Sequence, residues 1–299
     1  MADNSGQALI RGMDVDKLAK GFADEEMVLK RFVTNTTTSA REIRWYQKTA
    51  GFLDSTDTSG ITASQIANTA YGSRPVVVEQ SWTRNTSYVR KYFVESPLMT
   101  DEDIKDSDID LLAGNIRDLV RAVERQIDIR IYNVLTESNG TIPVVVNINQ
   151  VQSSRWLSGS PILDIMTAKK KIRAQSYNPE GAIIYMHEDD HTDLLYNLIN
   201  VKGSSIPSFA SQKIETGIVM EILGARVVVS HNATSGNPVM FVPSRAATWK
   251  SFTAITARNI DEVGIGTKIR VWEEGECLLT DPKAVCLISG SQTSVGITA

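Results

Sequence analysis

The stretch from Asp108 to Glu137 constrains this chain most, because it reads as one uninterrupted amphipathic helix. Leu112, Ile116, Leu119, Val120, Val123, Ile127, Ile131, Val134 and Leu135 recur at intervals of mostly three and four, which lines up one helix face. Arg117, Arg121 and Arg125 form a stripe on another side, with Asp118, Glu124 and Asp128 near it. That pattern reads as a solvated, salt-bridged face rather than a nucleic-acid site. At about 1.5 Å per residue the helix spans roughly 40–45 Å, more than a core helix of a compact domain needs. Ser138-Asn139-Gly140 supplies ordinary stop chemistry.

Residues 74–97, ahead of the helix, read as a long hairpin. Val76, Val78 and Trp82 share one strand face, Tyr88, Tyr92 and Val94 share a face on the return, and Arg84-Asn85-Thr86-Ser87 reads as the turn. Each arm would run roughly 25–35 Å at about 3.3 Å per residue. A lone two-stranded ribbon is marginally stable in water, so it must join a sheet of its own subunit or lie on a neighbour. Arg74, Arg84, Arg90 and Lys91 outweigh Glu79 and Glu95, a net of +2, whereas Asp101–Asp110 holds six acids and one lysine, a net of −5. Opposing the helix dipole accounts for part of that acidity. The reversal also suggests contact between copies, with Arg84, Asn85, Arg90 and Lys91 facing Asp101, Glu102, Asp103 and Asp106 of a neighbour.

Residues 1–59 look like an arm. Val15, Leu18, Phe22, Met27, Leu29 and Phe32 suit a short amphipathic helix broken near Gly21, and polar segments such as Asp54-Ser55-Thr56-Asp57-Thr58-Ser59-Gly60 follow. The arm either docks its apolar residues on something else or is a terminus without fixed structure. Residues 141–247 alternate strands and helices: a Val-rich strand Ile142–Ile148, a helix from Ser160-Pro161 to Ile172, a strand Ala182–Met186, a helix near Glu188–Ile199, a small-residue loop at Lys202–Ser208, and strands near Ala225–Ser230 and Pro238–Val242. Residues 248–289 are strand-like, with Lys268–Trp272 and Ala284–Ile288 prominent.

Composition narrows the function classes. Hydrophobic residues at 42% and charged residues at 22% exclude bulk disorder. With 31 Lys and Arg against 35 Asp and Glu, the net charge of −4 argues against a chain held on nucleic acid by phosphate neutralisation. No apolar run reaches membrane-spanning length, and the polar start has no signal-peptide pattern. Cys277 and Cys286 make no disulfide framework. The expectation is a soluble chain in a reducing cytoplasm.

One catalytic motif is literal. His187-Glu188-Asp189-Asp190-His191 matches H-E-x-x-H, the zinc-protease helix, and stands as a remote alternative. Its context is poor, because it follows a strand directly, so His187 falls at or before the first helical turn. His231, 40 residues on, lies beyond the common third-ligand spacing. No phosphate loop, Rossmann turn or nucleophile elbow occurs. The reading is a non-enzyme with no cofactor and no metal.

The ordered set of elements carries a resemblance. The helix Pro161–Ile172, the turn Tyr177-Asn178-Pro179 with the strand Ile183–Met186 after it, the strand Ile222–Ser230, and the segments Ile269-Arg270-Val271-Trp272-Glu273 and Asp281-Pro282-Lys283-Ala284-Val285 look like successive pieces of one family. The chain resembles the major capsid proteins of tailed double-stranded DNA bacteriophages, with the α+β Hong-Kong-97-type fold also seen in encapsulin shells. The resemblance implies an N-terminal arm (1–59), an extended-loop hairpin (60–100), a peripheral domain with a spine helix (101–140), and an inserted axial α/β domain (141–247). It further implies peripheral return strands (248–289) and a C-terminal tail (290–299). The loop near 200–215 would surround the five- and six-fold axes.

The function this implies is structural: pentamers and hexamers that self-assemble into an icosahedral shell enclosing double-stranded DNA without sequence-specific binding. It would sit in the virion capsid, assembled in the host cytoplasm with no membrane. Its partners would be other copies, a portal and a scaffolding protein, with decoration proteins as an option. If Met1 is the encoded start, the scaffolding protein is encoded separately or dispensed with. Some relatives join a loop lysine covalently to a neighbour; Lys91 lies on an arm rather than at the tip, so no cross-link is expected. An encapsulin-like compartment is the alternative within the same fold.

Overall fold

The computed structural model describes residues 18–20, 28–48, 70–74, 82–100, 102, 111–138, 143, 145–201, 221–262 and 264–292. In chain order the elements are β1 (Thr34–Thr37), β2 (Glu42–Lys48), β3 (Trp82–Tyr88), β4 (Arg90–Glu95), β5 (Met99–Thr100), α1 (Leu111–Leu135) and β6 (Asn149–Gln152). They continue with α2 (Pro161–Ala174), β7 (Ile183–Met186), α3 (Glu188–Tyr196), β8 (Glu221–Ile222), β9 (Ala225–Val229), β10 (Val239–Phe241), β11 (Thr248–Glu262), β12 (Gly266–Leu278) and β13 (Val285–Ser289). The chain divides into two compact units: Met1–Ile43, Thr86–Ile131 and Trp249–Leu278 form the first, and Arg44–Asn85, Tyr132–Thr248 and Leu279–Ala299 form the second.

The first unit is a sheet ordered β1-β11-β12-β4, with β5 also on β12, together with most of α1. Ile116, Val120, Val123, Ile127 and Ile131 of α1 are buried, as their spacing predicts. Arg117, Arg121 and Arg125 are exposed. Glu124 and Asp128, however, lie on the buried face and not beside the arginine stripe. β12 and β4 are antiparallel, with Arg90 opposite Gly275 and Glu95 opposite Arg270. A side chain at 275 would meet the Trp249 ring at 2.5 Å, so glycine lets that indole pack against the strand.

The second unit holds a six-stranded sheet ordered β6-β13-β10-β7-β9-β8. β13 pairs parallel with β6 and antiparallel with β10; β7 pairs antiparallel with β10 and parallel with β9. Helices α2 and α3 cover it through Ile165, Ala168, Ile172 and Leu194, packed with Ile184, Met186, Met240 and Ile288. Ser160 holds the N-cap position of α2 with Pro161 behind it, although its side chain makes no cap bond.

Several expectations change. Of the strand foreseen at Ile142–Ile148, Ile142 and Val144 lie outside the described residues and Val145–Ile148 form no strand; the strand here is Asn149–Gln152. The Glu137 carboxylate accepts the backbone N–H groups of Val146, Asn147 and Ile148 at 2.9, 2.8 and 3.3 Å, which takes those donors away from any strand partner. The turn foreseen at Arg84–Ser87 is instead the middle of β3, and β3 pairs with β2. β4 belongs to the first unit's sheet, so the described residues of 74–97 do not close on each other as a hairpin. The return segment 248–289 also divides, because β13 sits inside the second sheet between β6 and β10. Lys202–Ser208, Asp54–Gly60, Val15, Phe22, Met27, Val76, Val78, Asp101, Asp103 and Asp106 lie outside the described residues.

Candidate functional site

The residues expected to face a neighbour are built on β3 and β4. Arg84 lies exposed on β3 and makes no ion pair among the described residues. Asn85 donates to Gln47 Oε1 at 3.2 Å, tying β3 to β2. Glu102 is exposed.

Arg90 and Lys91 have partners within their own chain. β12 carries Glu273, Glu274 and Glu276 within four residues, and all three are buried. Arg90 Nε donates to Glu276 Oε2 at 2.9 Å, while Arg130 of α1 donates to Oε1 from Nε at 2.9 Å and from Nη2 at 2.6 Å. Lys91 Nζ and Arg41 Nη2 each stand 3.7 Å from Glu274. Arg270 bonds Glu95. Arg90 and Lys91 thus meet acids of β12 within their own chain, and both side chains stay more than half exposed. Sequence reading missed the β12 acids, since their cations come from distant segments. The one legible signal was their place between Val271 and the apolar Cys277-Leu278.

Aromatic side chains stand exposed on these strands: Tyr46 on β2, Trp82 and Tyr88 on β3, and Phe93 on β4. Trp82 keeps 52% of its surface open. Exposed aromatics on a two-stranded ribbon are what a strand pair that needs a further partner presents.

His187–His191 builds a helix start. His187 caps α3, its Nδ1 accepting the Asp189 N–H at 3.2 Å. Asp190 points inward and is fully buried; it accepts the Gly236 N–H at 3.1 Å and the Ser291 hydroxyl at 2.6 Å. Burial raises its carboxyl above the ordinary range, and those donors offset part of the rise. Burial lowers His191. His187 and His231 lie with ring centroids 5.3 Å apart and planes tilted by 44°, so their separation in sequence did not keep them apart in space. Among the described residues no cluster of three or more His, Cys, Asp or Glu could hold a metal. Cys277 and Cys286 are both free and buried, and burial pushes the Cys286 thiol up to about 12.

A long amphipathic helix, a first unit with long strands β11 and β12, and a second α/β unit define the class: this is the Hong-Kong-97-type fold of viral shell proteins. A family model described as phage capsid protein matches residues 98–288, and the chain belongs to that family as a structural capsid protein. The fold is similar to that of the capsid of the cyanophage P-SCSP1u, with a TM-score of 0.64, 11% identity and 89% of each chain covered. It is similar to a virus-like particle from Pyrococcus furiosus, with a TM-score of 0.62 and 10% identity over 93% of this chain and 99% of that one. Mycobacterium phage Che8 matches with a TM-score of 0.59 and 17% identity over 85% and 86%. At these identities the likeness concerns the fold. No curated relative matches the sequence.

Proposed function

We propose that this chain is a major capsid protein whose copies form pentamers and hexamers and close into an icosahedral shell around double-stranded DNA, with no catalytic role. The match of residues 98–288 to the phage capsid family carries the reading. In this reading the first unit corresponds to the peripheral domain, the second to the axial domain, and β2 with β3 to the extended loop reaching a neighbour. Assembly in the host cytoplasm with a portal follows from the same reading. The family match favours a viral shell over an encapsulin-like compartment. Nuclease digestion of native particles separates the two: protected double-stranded DNA is expected, and particles holding protein alone would overturn the viral reading.

Arg84, Asn85, Arg90 and Lys91 are the proposed contact to acids of a neighbouring copy among Asp101, Glu102, Asp103 and Asp106; Arg84 is the one to mutate, because Arg90 and Lys91 also meet acids of their own chain. Arg84→Glu is expected to weaken assembly, more so at low salt, where exposed charges are least screened. One exposed pair contributes only about 0–1 kcal/mol, so the effect depends on repetition over a shell. Light scattering at low and high salt measures it, and unchanged assembly at both counts against the contact.

A further inference from the structure

Three buried carboxylates and one largely buried ammonium share a pocket in the first unit. Glu124 and Asp128 enter it from α1 and Glu273 from β12, each at most 1% exposed. Lys30 enters from the short turn Leu29–Arg31 and donates to both Glu273 oxygens, at 2.6 and 2.8 Å. Its Nζ stands 3.5 Å from Glu124 Oε1 and 5.7 Å from the centre of the Trp249 ring. The Leu29 N–H donates to Asp128 Oδ1 at 3.0 Å. Both Glu124 oxygens are buried without a hydrogen-bond partner. The charged groups acting on Glu124 are Lys30, Glu273 and Asp128, and the cation acting on Asp128 is Lys30.

Fully ionised, this pocket sets three negative charges against one positive charge. Two uncompensated charges in a low-dielectric interior are strongly disfavoured, and buried acids avoid that by holding protons. We propose that the pocket is a proton-gated latch for the N-terminal arm: Leu29–Arg31, plugged in through Lys30, is held while Glu124 and Asp128 are protonated and loosens as they ionise. The inference concerns the subunit and stands whether or not the shell reading does.

Burial raises Glu124 and Asp128 each to about 7, against ordinary carboxyl values of 4.5 and 3.8. Acids freed by undocking return toward those ordinary values, so docking takes up protons. Docking is therefore tightest below the ordinary carboxyl range, weakens as pH rises to about 7, and is level above that. Each proton taken up changes the docking equilibrium by up to about tenfold per pH unit inside the window.

Hydrogen exchange on the full-length protein between pH 5 and pH 8, corrected for intrinsic rates, tests this on a peptide covering residues 28–38. The strand Ile183–Met186 of the second unit serves as reference. Protection of 28–38 relative to the reference should fall at least about tenfold from pH 5 to pH 7 and then level off. The double variant Glu124→Gln, Asp128→Asn keeps the shapes and the acceptor for Leu29; it should stay protected and lose the pH dependence. If it does not fold, Glu124→Gln alone must reduce the slope. A flat profile in the native protein, an unchanged slope in the variants, or lost protection in the folded double variant would each overturn the latch.

Discussion

Replacing Glu276 with alanine is expected to destabilise the first unit by about 3 kcal/mol, the low end of the range for breaking a buried ion pair. Glu276 is 2% exposed as a side chain and shares its two oxygens between Arg90 and Arg130. Alanine leaves two guanidinium groups without their acceptor on β12. Arg90 is 58% exposed and recovers water, whereas Arg130, at 27%, recovers less, which sets the expected loss at the low end. Glu276→Gln, which keeps a neutral acceptor, should cost roughly half as much. Urea unfolding of the three proteins measures the series, with Arg84→Glu as the exposed control expected to stay within about 0.5 kcal/mol of the native protein. A Glu276→Ala protein as stable as that control would show that the β12 acids do not hold the sheet edge.

Asp190→Ala carries the second large effect. Its carboxylate joins the first turn of α3 to the backbone at Gly236 and to Ser291. Alanine strands both donors in the interior, at about 1–3 kcal/mol for each unpaired group. Asp190→Asn retains an acceptor and should lose less. Thermal unfolding distinguishes this role from the one a literal H-E-x-x-H reading assigns. An acid free to serve bound chemistry would leave the melting temperature unchanged when removed, whereas an internal anchor lowers it in the order native, asparagine, alanine.

What could be read in the residues follows the range of the forces involved. The buried stripe of α1 and the strands β7, β9 and β10 are written in local apolar patterns, and they stand where those patterns put them. The Val-rich run before β6 misled because a single side chain, Glu137, captures its amides. Arg84-Asn85-Thr86-Ser87 has turn chemistry, yet pairing with β2, some 40 residues earlier, holds it extended. Glu124 and Asp128 read as surface residues because acids ordinarily are, and Glu273 and Glu276 carried only the weak signal of their apolar neighbours. The burial of these acids depends on Lys30, Arg90 and Arg130, which only the folded chain brings alongside. Assembly surfaces are the hardest case, since half of each contact belongs to another copy.

Electron microscopy of the purified full-length protein, and of particles from infected cells, addresses the central claim most directly. Closed icosahedral shells with pentameric and hexameric capsomers are the expected result. A protein that stays monomeric across salt and pH, with native particles built from a different chain, would contradict it.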